Sequence, residues 1–131
     1  MRTIEELLRE SKTIAVVGLS NDPSRPSYGI AMALQRYGYR IIPVNPKETQ
    51  ILGETAYATL ADIPTPVDLV NVFRRPQQTP AVVREAIAIG TKAVWLQSGI
   101  VNEEAEAIAQ AAGLDFIMDR CIMVEHRKLG L

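Results

Sequence analysis

Five short segments of the chain are apolar at most positions: Thr13–Gly18, Arg40–Val44, Asp68–Phe73, Lys92–Leu96 and Asp115–Met118. A strand hidden on both faces reads this way, whereas a strand with one wet face alternates. The segments between them carry helical signals. Thr3 and Glu6 have the spacing of a capping box opening a helix through Glu10. Ile30, Ala33, Leu34 and Tyr37 share one face of a helix expected over Ser27–Tyr37, and Gly38 sits where a left-handed cap belongs. Thr79-Pro80 reads as the N-cap and first residue of a helix ending at Gly90. Asn102 caps a helix with Glu103 and Glu104 in its first turn, closed by Gly113, and Cys121–Leu129 forms a last helix. Residues 46–66, with Gly53 and three prolines (Pro46, Pro64, Pro66), read as a loop with one helical turn near Thr59–Asp62.

Alternating strands and helices predict an α/β fold: a single Rossmann-like domain over residues 1–131. Its five-stranded parallel sheet is doubly wound in the order 3-2-1-4-5, with helices on both faces. With 47% hydrophobic residues the chain builds its core without disulfides. Fourteen Lys and Arg against fifteen Asp and Glu give a net charge of −1, which argues against a nucleic-acid partner. No apolar run approaches a membrane span, and no secretory pattern follows Met1-Arg2. A single Cys allows no internal disulfide, so the expected location is cytoplasmic, and with one His a metal site is not expected.

In such sheets ligands bind beyond the carboxyl ends of the strands, where the strand order reverses. The expected order places that point at the tips of strands one and four. Four loops supply the candidates. After the first strand Gly18 is followed by Leu19, Ser20, Asn21, Arg25, Ser27 and Tyr28. The second glycine of the usual G-x-G-x-x-G pattern is missing, and Ser20 stands in its slot. Such a loop still offers N–H groups, hydroxyls and a guanidinium to phosphate. After the second strand come Asn45, Pro46 and Lys47, where an NAD site carries an acid for the ribose hydroxyls. Lys47 instead suits a ribose bearing an extra phosphate, as in coenzyme A or NADP. Phe73, Arg74 and Arg75 follow the third strand, one arginine read as a phosphate partner and the other as solvated or paired. Ser98 and Gly99 follow the fourth. The plain alternatives are turn formers for Gly18, Ser20 and Asn21, an exposed loop lysine for Lys47, packing for the tyrosines and core for Trp95. Asp119 and Arg120 read as a structural ion pair, and Cys121 as a small buried hydrophobe.

Taken together, Ile14–Ser20, Arg25–Tyr28, Ile42–Lys47, Asp68–Arg75, Trp95–Gly99 and Met118–Cys121 with Glu125-His126 resemble the small stand-alone CoA-binding proteins. Their domain is similar to the nucleotide-binding domain of the succinyl-CoA synthetase α subunit. The resemblance implies that the Gly18–Ser20 loop holds the CoA pyrophosphate and that Lys47 lies near the phosphorylated ribose. It also implies that Phe73-Arg74-Arg75-Pro76 borders the adenine and phosphates. The synthetase's phosphorylated histidine belongs to a second domain, and His126 does not correspond to it. The expected function is therefore CoA or acyl-CoA binding without catalysis, as a carrier or regulatory module. The alternatives are an NADP-linked oxidoreductase and a redox protein capturing the CoA thiol on Cys121. The helix Thr79–Gly90 offers a face for a second subunit or a protein partner.

Overall fold

The computed structural model describes residues 1–131. Its order is α1 (Ile4–Glu10), β1 (Thr13–Val17), α2 (Pro26–Arg36), β2 (Arg40–Val44), β3 (Gln50–Ile51), β4 (Glu54–Thr55), β5 (Leu69–Val72), α3 (Thr79–Ala88), β6 (Ala93–Leu96), α4 (Glu103–Ala111), β7 (Asp115–Ile117) and α5 (Ile122–Leu129). Short 3-10 turns occupy Leu60–Asp62 and Pro76–Gln78. The capping box of Thr3 and Glu6 is formed, and the Asn102 side chain accepts from the Ala105 N–H. Thr79, expected as an N-cap, instead lies inside α3, and its hydroxyl donates to the Pro76 carbonyl. The preceding turn at Pro76–Gln78 shifts the cap to Gln78, whose side chain makes no capping bond.

Five parallel strands form the sheet in the order β2-β1-β5-β6-β7. The 3-2-1-4-5 pattern is present, but its third position is reduced to one parallel bridge between Tyr57 and Val44. Leu69–Val72, expected outside β2, occupies the fourth position against the other side of β1. All its residues are buried, with strands on both of its edges and helices on both faces. The point of reversal therefore lies between β1 and β5. The irregular stretch also contains a hairpin, β3–β4, turned by Leu52 and Gly53 at φ 53 and 77. Positive φ at both central residues is the type I′ requirement.

The sheet separates two halves of the core. Ala15, Val17, Val70, Val72, Val94 and Leu96 face α3 and α4. Ile14, Val16, Leu69, Ala93 and Trp95 meet Leu7, Ala31, Leu34 and Ile122 from α1, α2 and α5. Trp95 is fully buried, and its indole N–H donates to the Arg120 carbonyl at 2.8 Å. The Gln97 side chain accepts from the Ile122 N–H at 3.1 Å, so the chain entering α5 is fastened to the end of β6. The expected Asp119–Arg120 pair is absent. Asp119 accepts from the Gly99 N–H at 2.7 Å, and Arg120 pairs with Glu125 at 3.6 Å. Asp119 has φ 58, which carries its carboxylate back across the sheet end and away from the neighbouring guanidinium.

His126 on α5 is buried, its ring stacked on Tyr37 with centroids 4.0 Å apart and an angle of 2°. Tyr39 meets it edge-on at 5.8 Å. Burial pushes the imidazole below its ordinary value of 6.5. The unfolded chain therefore takes up the proton first. The stabilising contribution is fully present above that ordinary value and is lost as pH falls through the lower folded one. Denaturant melts between about pH 7.5 and 5.5 are expected to show wild type losing more stability than His126→Phe. Equal losses would mean that the carboxylates alone set the acid sensitivity.

Candidate functional site

Three hollows adjoin one another along the carboxyl edge around β1 and β5. Gly18 and Phe73, at the ends of these two strands, line the first two hollows. Gly18 has φ 85, and a Cβ built there would stand 2.2 Å from the Phe73 carbonyl oxygen. Its N–H donates to the Val44 carbonyl at 3.0 Å and the Phe73 N–H to Val17 at 2.8 Å, so the strand tips are laced together at the reversal point. No residue but glycine permits that approach.

The first hollow, about 280 Å³, is lined by Gly18, Asn45, Pro46, Lys47, Phe73 and Arg74. Asn45 is held by its own amide: Nδ2 donates to the Leu19 carbonyl at 3.0 Å, and Oδ1 accepts from the Lys47 N–H at 2.9 Å. Lys47 is exposed and has no ion-pair partner. The nearest acid in sequence, Glu48, receives a hydrogen bond from Asn21 Nδ2 at 3.2 Å. Arg74 lines this hollow and the third, and its Nε is enclosed without a hydrogen-bond partner. An enclosed, unpaired guanidinium nitrogen is costly unless a further group arrives to accept from it.

The second hollow, also about 280 Å³, joins Gly18 and Phe73 to Ser20, Arg25, Pro26 and Ser27. Buried Ser27 accepts from the Ser20 N–H at 3.0 Å, while Ser20 Oγ accepts from the Asp22 N–H at 3.0 Å. Asp22 in turn accepts from Ser24, which holds its carboxyl below the usual range and braces the loop from outside. Arg25 is the N-cap residue of α2 and makes no side-chain capping bond. Pro26 has no N–H and the Tyr28 N–H donates to the Arg25 carbonyl at 3.1 Å, so the Ser27 N–H is the first-turn donor left to an arriving acceptor, and the helix dipole favours an anion there.

The third hollow, about 380 Å³, is walled by Val17, Val44, Ala58, Ala81 and Val82, with Thr59, Gln78 and Glu85 as its added polar groups. None of these was marked by sequence. Ala81, Val82 and Glu85 share the face of α3 turned to the sheet edge, but a small apolar helix face reads as ordinary core. Asn71 also gave no signal. Its amide is fully buried between Val16 and Trp95 with neither atom paired.

Most of the expected residues converge here: Gly18, Ser20, Arg25, Ser27, Asn45, Pro46, Lys47, Phe73 and Arg74. Others do not. The Leu19 side chain is fully buried in the core, leaving only its backbone at the site. Tyr28 packs against the α2 side of the core, Arg75 is exposed outside the hollows, and Asn21 is spent on Glu48. Ser98 and Gly99 follow β6, one strand away from β1, and line none of the three hollows. Their expected place depended on β6 adjoining β1, a position taken by β5. Cys121, half-buried before α5, lines none of them either.

A doubly wound sheet with a cation-rimmed, glycine-pinched cleft at its reversal point defines a Rossmann-like domain. The family model described as CoA binding domain matches residues 12–127, and the chain belongs to that family. It is 47% identical over 123 residues to the uncharacterized protein YneT of Bacillus subtilis, covering 94% of this chain and 91% of that one. It is also 32% identical over 101 residues to the ADP-forming acetate–CoA ligase II of Archaeoglobus fulgidus. That match covers 76% of this chain but only 15% of the ligase. A solved structure of a hypothetical protein from Pyrococcus horikoshii superposes with a TM-score of 0.95 at 39% identity, covering 98% of this chain and 90% of that one.

Proposed function

We propose that the chain binds coenzyme A, free or acylated, along the three hollows and acts as a carrier or regulatory module rather than as an enzyme. The observation that carries this reading is Arg74, whose enclosed Nε lacks an acceptor between two hollows, the first of which Lys47 also rims. A nucleotide with phosphates on both the diphosphate bridge and the ribose supplies acceptors to both. The uncapped start of α2 beside Arg25 suits the diphosphate, and Lys47 suits the ribose phosphate. The matched ligase is far longer than this chain, so its acyl transfer is not carried over.

Calorimetric titration against CoA, dephospho-CoA and NADP tests the reading. CoA is expected to bind most tightly, with dephospho-CoA weaker by about 1.5–3 kcal/mol, the value of a charge-assisted contact. Lys47→Ala is expected to bring the two CoA forms together by weakening CoA alone. Equal binding of both forms by wild type removes the ribose-phosphate assignment, and a preference for NADP moves the chain to the reductases.

A further inference from the structure

At the amino end of the sheet, where α1, the turn after α2 and the end of α5 converge, lies a cavity of about 340 Å³. It shares no residue with the three hollows of the carboxyl edge. Arg9 and Lys12 stand at its lining, and no aspartate or glutamate does. Lys12 has no ion pair, and Arg9 engages only Nε, with Glu5 at 3.0 Å. Ser11, 4% exposed, also lines the cavity, and its Oγ is enclosed with no partner. A buried hydroxyl left unpaired lowers stability, so a group that accepts from it is favoured. Tyr37, Tyr39 and His126 give the cavity an aromatic wall. The Tyr39 hydroxyl already donates to the Leu8 carbonyl, so the wall offers ring faces and edges rather than a free donor.

We infer that this cavity is a second ligand site, for a small planar monoanion of the aromatic carboxylate class. Two cations facing no aspartate or glutamate call for negative charge, the Ser11 hydroxyl for an acceptor and the aromatic wall for a flat partner. A phosphate dianion fits less well. The carbonyl ends of α1, α2 and α5 all point toward this region and offset part of the charge of Arg9 and Lys12, so the site takes one negative charge and disfavours a second. The assignment is independent of what the carboxyl edge binds.

The test is an NMR titration of the full chain with benzoate, with benzamide and inorganic phosphate as comparators. Benzoate is expected to give saturable shifts centred on Tyr37, Tyr39 and His126. Benzamide and phosphate should bind at least about tenfold more weakly. Lys12→Met is expected to weaken benzoate by about tenfold, and Ser11→Ala by several-fold, with both variants melting close to wild type. Lys12 is exposed, so its replacement leaves the fold intact. Benzamide binding as tightly as benzoate, shifts centred on the Gly18–Phe73 edge, or no saturation by benzoate would each overturn the site.

Discussion

Gly18→Ala is expected to cost about 3 kcal/mol or more of folding stability and to abolish nucleotide binding in whatever fraction remains folded. Two terms add. An alanine at φ 85 strains the backbone, and its Cβ falls 2.2 Å from the Phe73 oxygen and 3.0 Å from the Phe73 carbonyl carbon. Both contacts are with backbone, so no rotamer change relieves them. Either β1 and β5 separate at their tips or the loop after Gly18 lifts, and both movements open the hollows that share Gly18 and Phe73. Gly113→Ala is the control. Its φ is 75, but a Cβ there meets nothing within 4 Å, so only the strain of about 1 kcal/mol is expected. Urea melts of the two variants give the difference directly. Equal losses would show that the close approach at the strand tips does not constrain the fold.

The second large effect separates binding from stability. Arg74→Met is expected to reduce CoA affinity by about 10- to 100-fold while leaving the unliganded protein at least as stable as wild type. The enclosed Nε has no partner, so the folded chain gives up hydration there without recovering a hydrogen bond. Methionine keeps the stem volume and removes that cost. The ligand, by contrast, loses a cation facing two hollows. Calorimetry gives the affinity, and thermal melting without ligand gives the stability. A variant that binds as wild type does would place the phosphates elsewhere on the edge. Arg75→Met is the matched comparison, since that side chain is exposed and outside the hollows.

The sequence announced the five main strands and their helices because each strand is buried on both faces and each helix carries its own punctuation. Thr3, Asn102 and Gly113 ended or began helices where expected. What the pattern could not rank was position within the sheet. Leu69–Val72 and β2 are equally apolar, and nothing local says which adjoins β1 on a given side. The clue was Gly18 itself, whose lack of a side chain makes sense only with Phe73 pressed against it. The β3–β4 hairpin was hidden for a different reason. Its strands are two residues each, and Leu52 stands where Asn or Asp is the usual signal for a tight turn. At the site, charged and glycine residues were legible because their chemistry is rare in a core. The apolar wall from Ala58, Ala81 and Val82 was not, because a wall facing a ligand and a wall facing other side chains have the same composition.

The small hairpin and the Tyr57 bridge also bear on how copies of this chain can meet. An exposed parallel edge at β2 would be a template for strand addition by another molecule. Here Asn45 donates to the Tyr57 carbonyl and Tyr57 donates to Pro43, so part of the edge is already spoken for within the chain. The other edge, β7, is three residues long, and Asp115 at its start is clasped by the N–H and guanidinium of Arg2 at 3.1 and 2.6 Å. Both flanks of the sheet are therefore poorly suited to extension by a second copy. Self-association of this chain is left to its helical faces, where contacts form between side chains and leave the strand ladder intact.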